Sequence, residues 1–481
     1  MVTPAAERMA ITGRGVASTS VGMTDDEPIR ASGGPGTIFS PIFRQSWLAL
    51  VYRCSGAVVT FLFGVSFARM MSIEEYGVLM SLMTFGFIAA TVGLVGQQLH
   101  VLREIPSLAA RKNYTAIGSI VAKRVRVICL GSIAATVTAL LVFVAAHGRG
   151  GIFGRWEYST SLLLVLPLAL IEMQSSVGRA LGSVNLALVP KDVLWRLLVI
   201  LLGGALFATY GHPVKAADVF VIATGVLVLL IAIQQVHLRH LAEGHRLFTM
   251  VVRRSKDSIA DVLSTSAPFW VTSIASILFA TIDVVVVSVM VGPESGGYYY
   301  AANRISLLLD FFLSTFAIPA APLIARLFDE DRRTEIIRVT SGAALAAFIA
   351  VLGCVVALAL AGDIVLMAFG EAFVRAHGVL MVLAVGQLAS TYFGVGSIAL
   401  NMTGHQRAAM YIMVITSVLG IVAMVGATWT FGIWGTAVVA ASVGVATRVW
   451  MAAHIHAAER IDLTATTMLR TIARRATRMG T

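Results

Sequence analysis

Blocks of roughly twenty apolar residues, the length a helix needs to cross a bilayer, recur along this chain and constrain it more than any motif does. They fall at 47–70, 77–99, 126–147, 160–181, 193–210, 217–237, 266–291, 297–322, 340–361, 378–399, 409–431 and 433–455. In lipid a segment must satisfy its own backbone polar groups, so each block is expected as a helix and isolated strands are excluded. Hydrophobic residues make up 58% of the 481 and charged residues 13%, with mean hydropathy +0.86. Soluble domains carry roughly 25% charged residues, which rules out an ordinary soluble globule. The expected fold class is an all-α polytopic membrane protein of about 12 transmembrane helices.

The basic residues orient the chain. With the first segment inside, 28 of the 36 Lys and Arg lie in cytoplasmic segments and 5 lie outside, namely Arg69, Arg149, Arg155, Lys215 and Arg375. Positive residues accumulate on the cytoplasmic side, so both termini are expected there. The same rim accounts for the net charge of +11, as a surface facing anionic headgroups. A nucleic-acid partner is excluded, because no soluble segment is long enough to form a basic folded domain.

Residues 1–45, rich in Ser, Thr, Gly and Pro over most of their length, read as a disordered cytoplasmic tail. They hold no apolar core of signal-peptide length. The remaining divisions are a six-helix half at 46–238, a basic cytoplasmic linker at 239–265, a second half at 266–456 and a basic tail at 457–481. In that tail Ile461, Leu463, Leu469 and Ile472 alternate with Arg470, Arg474, Arg475 and Arg478, the pattern of an interfacial amphipathic helix.

A weak repeat relates the halves. "MSIEEYGVL" at 71–79 parallels "VGPESGGYYY" at 291–300, so that Glu74 matches Glu294 and Gly77 matches Gly297, and "ATYG" at 208–211 parallels "WTFG" at 429–432. Six spans is an even number, so the halves share one orientation about an axis along the membrane normal. Parallel repeats of this kind place a substrate site between them.

Signatures of chemistry are missing. The chain holds no P-loop, HExxH or G-x-S-x-G sequence, and its Cys54, Cys129 and Cys354 sit inside apolar blocks as small core residues. No cofactor and no metal is expected; His237, His240, His454 and His456 read as solvated rim residues.

The informative residues are charges inside spans, which are costly unless paired or facing water. Asp283 lies nine residues before Gly292 and Arg304 seven after Gly297, at similar depth in one hairpin. Asp310 falls near the midplane of the eighth span, Arg53 lies in the first and Glu172 in the middle of the fourth. In one reading Asp283 and Arg304 neutralise each other and lock two helices. In the other, Arg53 and Arg304 turn positive charge toward a central cavity and bind an anionic head group. Arg448, near the inner end of its span, can snorkel to the interface.

Three stretches carry a resemblance to a known family: "FARMMSIEEYGVLMSLMTF" at 67–85, "TIDVVVVSVMVGPESGGYYYAANRI" at 281–305, and "FGEAFVRAHGVLMVLAVGQLASTYFG" through "LNMTGHQRAAMYIMV" at 369–414. Together with the layout over roughly 45–455, they resemble the polysaccharide flippases, Wzx or PST type, of the multidrug/oligosaccharidyl-lipid/polysaccharide (MOP) exporter superfamily. The resemblance implies two six-helix lobes in the V shape of MOP and MATE proteins, with the first, second, seventh and eighth spans lining a cavity. That puts Arg53, Asp283, Arg304 and Asp310 on its wall, with Glu172 a further candidate. It implies a transporter and not an enzyme, one that moves a polyprenyl-diphosphate-linked oligosaccharide across a bacterial inner membrane for O-antigen, exopolysaccharide or capsule. Coupling to H+ or Na+ and contact with glycan polymerase or export proteins are partners it allows. The chain departs from the pattern in its modest number of intramembrane cations.

Two other functions compete. An ion-coupled drug or metabolite antiporter of the same superfamily would use Asp283, Asp310 and Glu172 for cationic cargo. A membrane-embedded glycan polymerase or ligase would need a large external loop, and the longest here, 148–159 and 362–377, are short.

Overall fold

A computed structural model describes residues 35–146, 152–211, 213–241 and 259–470, with side chains from residue 51 onward, Arg53 among the exceptions. Most of the expected N-terminal tail, most of the linker and the last eleven residues lie outside the described residues.

Every described element is helical. The first half runs α1 (Pro35–Met70), α2 (Ile73–Gly93), α3 (Gln97–Ala110), α4 (Tyr114–Ala146), α5 (Trp156–Ser161), α6 (Val165–Ala180), α7 (Val184–Leu188), α8 (Trp195–Tyr210) and α9 (Ala216–Leu241). The second half runs α10 (Ile259–Met290), α11 (Pro293–Leu308), α12 (Asp310–Asp329), α13 (Arg333–Met367), α14 (His377–Tyr392), α15 (Gly396–Met402) and α16 (Gln406–Glu459). Among the described residues, nine stretches are long and apolar enough to cross a membrane. The 54-residue α16, one of the nine, holds two spans, because Gly432 (φ 58°, ψ −140°) reverses the chain there. A left-handed φ of this kind is open to glycine and costly for other residues. Across the reversal the Thr428 and Thr436 hydroxyls meet at 2.6 Å, so the two arms run antiparallel. Counting α1 and the broken α11–α12, the layout is consistent with twelve spans in two six-helix lobes.

The repeat is written in the element ends. Met70 closes α1 and Met290, 220 residues later, closes α10; Ile73 opens α2 and Pro293, again 220 later, opens α11. The two hairpins meet where the repeat places equivalent glycines. A side chain on Gly77 would run into the Pro293 carbonyl, and one on Gly297 would lie 3.3 Å from the Gly77 Cα. Ser81 and Ser288 share a hydrogen bond at the same crossing. Close approach without a Cβ is how helices pack tightly where lipid supplies no hydrophobic drive.

Position in the bundle explains composition. More than half of the residues of α2 and of α11 are buried by neighbours, which lets α11 carry Tyr299, Tyr300, Asn303 and Ser306. Helices α4, α13 and α16 turn leucines, valines and isoleucines outward, with Leu360 85% exposed. On a soluble protein such faces would aggregate, whereas here they meet acyl chains.

At the end of the bundle carrying the two hairpin turns, Arg155 bridges Glu74 (2.6 Å), Glu75 (3.0 Å) and Glu157 (3.3 Å). At the opposite end, the segment after α16 does not lie free. Ile461 and Leu463 are fully buried in a cluster with Ile324, Leu327, Leu400 and Ile455, while Leu469 remains exposed. Asp462 caps the following turn by accepting from the Thr464 amide (3.0 Å) and the Thr467 hydroxyl (2.6 Å).

Candidate functional site

Three cavities share walls inside the bundle. The central one, about 420 Å³, lies between α1 at Gly56 and Thr60, Asp192 in the turn before α8 with Arg196 at the start of α8, and the α11–α12 break at Arg304 and Asp310. A second, about 280 Å³, shares Asp310 and adds Asp283, Asn303, Gln387 and Arg448. The third, about 490 Å³, shares Asp192 and Arg196 and adds Gln98, Glu172 and Lys191.

The fifth span reaches the central cavity through a distortion. Residues Val189–Leu194 form a π-helical turn containing Pro190. Such wide turns loosen the carbonyls they pass, and they gather at functional sites. Here the loosened carbonyls of Asp192 (2.9 Å) and Lys191 (3.5 Å) accept from Arg196. Its guanidinium also lies 4.7 Å from the centre of the Trp195 ring, an attractive placement for a cation. The turn comes close to α1 at Gly56, where an added Cβ would stand 3.0 Å from Asp192 Cβ.

On the opposite wall Arg304 lies 4.8 Å over the Tyr300 ring, one helical turn before it. Among the described residues it makes no hydrogen bond and no ion pair. The pairing considered between Asp283 and Arg304 is not formed. Asp283 instead accepts from the Tyr299 hydroxyl (2.9 Å), the Asn303 amide (2.7 Å) and its neighbour's backbone N–H (2.9 Å). Equal depth did not make them neighbours, because Asn303 and Arg304 are adjacent in a helix and point about 100° apart.

Asp310 and Arg448 form the ion pair of the second cavity, at 2.9 Å. Gln387 donates to the same carboxylate oxygen (2.8 Å), and Arg448 donates to the Gly394 carbonyl (3.2 Å). Arg448 therefore does not snorkel. Glu172, in the third cavity, sits between Lys191 (2.5 Å) and Arg179 (3.4 Å). Arg53 lies on α1 three residues before Gly56, but its side chain falls outside the described residues.

The candidates named from sequence thus divide: Arg304 and Asp310 on the central cavity, Asp283 and Asp310 on the second, Glu172 on the third. Sequence reasoning missed Arg196, Asp192 and Lys191, counting the two cations only among the 28 cytoplasmic basic residues. A signal was present in Pro190-Lys191-Asp192, a helix breaker and two charges at the entry to an apolar run. Two guanidiniums with unspent donors face one cavity from opposite halves of a helical repeat. Planar forks of this kind suit phosphate and carboxylate oxygens.

Fold and cavity together define a multi-pass helical membrane protein with polar cavities between its helices. The chain belongs to the family described as "Polysaccharide biosynthesis protein", which matches residues 43–328. Among solved structures it is similar to the lipid II flippase MurJ in an inward closed conformation, with 14% identity over 85% of this chain and 87% of that one, at TM-score 0.64. An outward-facing multidrug resistance MATE transporter of the MOP superfamily matches at 16% identity, 87% and 96% coverage and TM-score 0.58. A MOP superfamily transporter from Pyrococcus furiosus, described as having a binding pocket of reversed polarity, matches at 15% identity, 86% and 96% coverage and TM-score 0.57. No curated protein sequence matches the chain.

Proposed function

We propose that this protein is a flippase of the bacterial inner membrane that carries a lipid-diphosphate-linked oligosaccharide outward for surface polysaccharide assembly. Both termini are cytoplasmic in this reading, and the halves rock about the cavity to give alternating access. The observation that carries it is Arg304, without a hydrogen bond or ion pair among the described residues, lining the central cavity together with Arg196. Asp310 is neutralised by Arg448 and Asp192 offsets one cation, so the central cavity keeps a net positive charge for a diphosphate. The family membership and the likeness to a lipid II flippase support the same cargo class. The lipid tail remains in the bilayer while the head group crosses.

A charge-assisted hydrogen bond is worth roughly 1.5–3 kcal/mol, which is about 10- to 100-fold in affinity. Arg304→Ala and Arg196→Ala are each expected to cut flipping of a labelled polyprenyl-diphosphate glycan in vesicles by that order, normalised to folded protein. Lysine keeps the charge and loses the fork, so Arg→Lys should fall between. Wild-type rates in both alanine variants would overturn the cationic site. Uptake of cationic dyes against a proton or sodium gradient, abolished by Asp283→Asn, would move the assignment to the antiporter, for which the carboxylates of the second cavity are the supporting feature.

A further inference from the structure

The third cavity carries a polar atom with nothing to bind. Gln98, 6% exposed, donates from its amide to the Ser273 hydroxyl across to α10 (2.9 Å), and the other end of that amide has no partner. Its neighbour Gln97 is fully engaged, with Val95, Ser266 and Arg124 (2.7 Å) around it. A buried acceptor left unpaired costs about 1–3 kcal/mol and calls for an explanation.

The surrounding wall indicates which chemistry would supply one. Thr91, Thr272 and Ser276 line the cavity, and each spends its hydroxyl proton within the protein, on the carbonyls of Phe87 (2.9 Å), Pro268 (2.8 Å) and Thr272 (2.8 Å), with the Met413 sulfur a second acceptor for Ser276 (3.2 Å). Their remaining capacity is as acceptors. The cationic donors of this cavity, Lys191 and Arg196, come from the π-helical turn and α8, and Lys191 is already paired with Glu172, so the wall around Gln98 itself offers an anion few donors. A polyhydroxylated, uncharged group brings donors on several sides and suits it well. At about 490 Å³ the cavity is within the range of small-ligand sites.

Position links it to the site already described. Arg196 lines both the central cavity and this one, so a group attached to a diphosphate held there has the third cavity beside it. We propose that the Gln98 cavity is the subsite for the first sugar of the cargo, with the amide oxygen of Gln98 accepting from a sugar hydroxyl. The proposal rests on the diphosphate reading above and adds where the glycan is sensed.

The test uses the full-length protein in lipid nanodiscs and two probes, a short polyprenyl diphosphate and the same lipid bearing one hexose. The wild type is expected to bind the glycosylated lipid about three- to ten-fold more tightly, the order of one neutral hydrogen bond. Gln98→Met, similar in shape without the acceptor, should remove that preference and leave the bare diphosphate bound as before. Ser276→Leu, which fills the cavity, should do the same and decides the matter if Gln98→Met does not fold. Ser273→Ala breaks the same cross-helix bond while keeping the acceptor, and should retain the preference. Equal binding of both probes by the wild type overturns the subsite alone, as does retained preference in a folded Gln98→Met or Ser276→Leu protein. A loss in Ser273→Ala as large as in Gln98→Met would make Gln98 merely structural and also overturns it. Binding of neither probe overturns the diphosphate reading and the subsite with it.

Discussion

Arg448 and Asp310 form an ion pair that ties together two interrupted spans. Asp310 opens α12 just after the break at Leu309, and the second bond of Arg448 ends on Gly394, the left-handed residue (φ 72°) between α14 and α15. One guanidinium therefore holds both interruptions. Breaks in spans leave carbonyls unsatisfied, and they persist only where protein re-satisfies them.

Removing one partner of that pair should cost more than removing both. Arg448→Met is expected to lower stability by roughly 1–3 kcal/mol, since it strands a carboxylate and a carbonyl. Asp310→Asn combined with Arg448→Met should recover part of the loss, because the amide needs no counter-charge. Thermal melting in detergent checks this. Additive damage in the double variant would show that the two act independently.

The environment of Asp283 gives a different expectation. Its oxygens are held by Tyr299 and Asn303, and Arg304 is not its partner. Exchanging the charges, Asp283→Arg with Arg304→Asp, should therefore give no recovery over the single variants. Tyr299→Phe should destabilise by roughly 1 kcal/mol through one lost hydrogen bond. Recovery of folded yield by the exchange would restore the ion-pair reading.

The crossing of α2 and α11 tolerates no Cβ. Gly77→Ala places a methyl against the Pro293 carbonyl, and the helices must separate to admit it. Overpacking of this kind costs about 1–3 kcal/mol. Gly86→Ala, on the same helix with open space around it, should be close to neutral and is the matched control. Equal melting temperatures for the two variants would contradict the contact.

Orientation is open to a direct test. Reporter fusions after Lys256 and after Thr481 should both report the cytoplasm, and one after Ser295 the opposite side, as the distribution of Lys and Arg requires. An external signal at Lys256 would overturn the assignment.

The class of protein was legible because hydropathy is a local property. A run such as 409–431 must be a helix in lipid whatever surrounds it, and the reversal beside it needs only the freedom of Gly432. The 220-residue repeat was equally local, carried by short matching strings such as those around Gly77 and Gly297. Depth along the membrane normal followed from counting residues within a span.

Azimuth did not follow, because it depends on which helices become neighbours. Arg304 shares its depth with Asp283 yet faces another way, since its predecessor Asn303 takes the turn that meets the carboxylate. Arg448 lay near enough to a span end to reach the interface, and only the packing of α16 against α14 turned it inward onto Asp310. Arg196 stood at a helix end by count, and the π-helical turn at Pro190 carried it into the cavity. A chain in lipid has little choice of secondary structure, so the sequence determined the helices. Which polar side chains confront one another was decided by tertiary packing, because burying them has a favourable free energy only once particular partners are in reach.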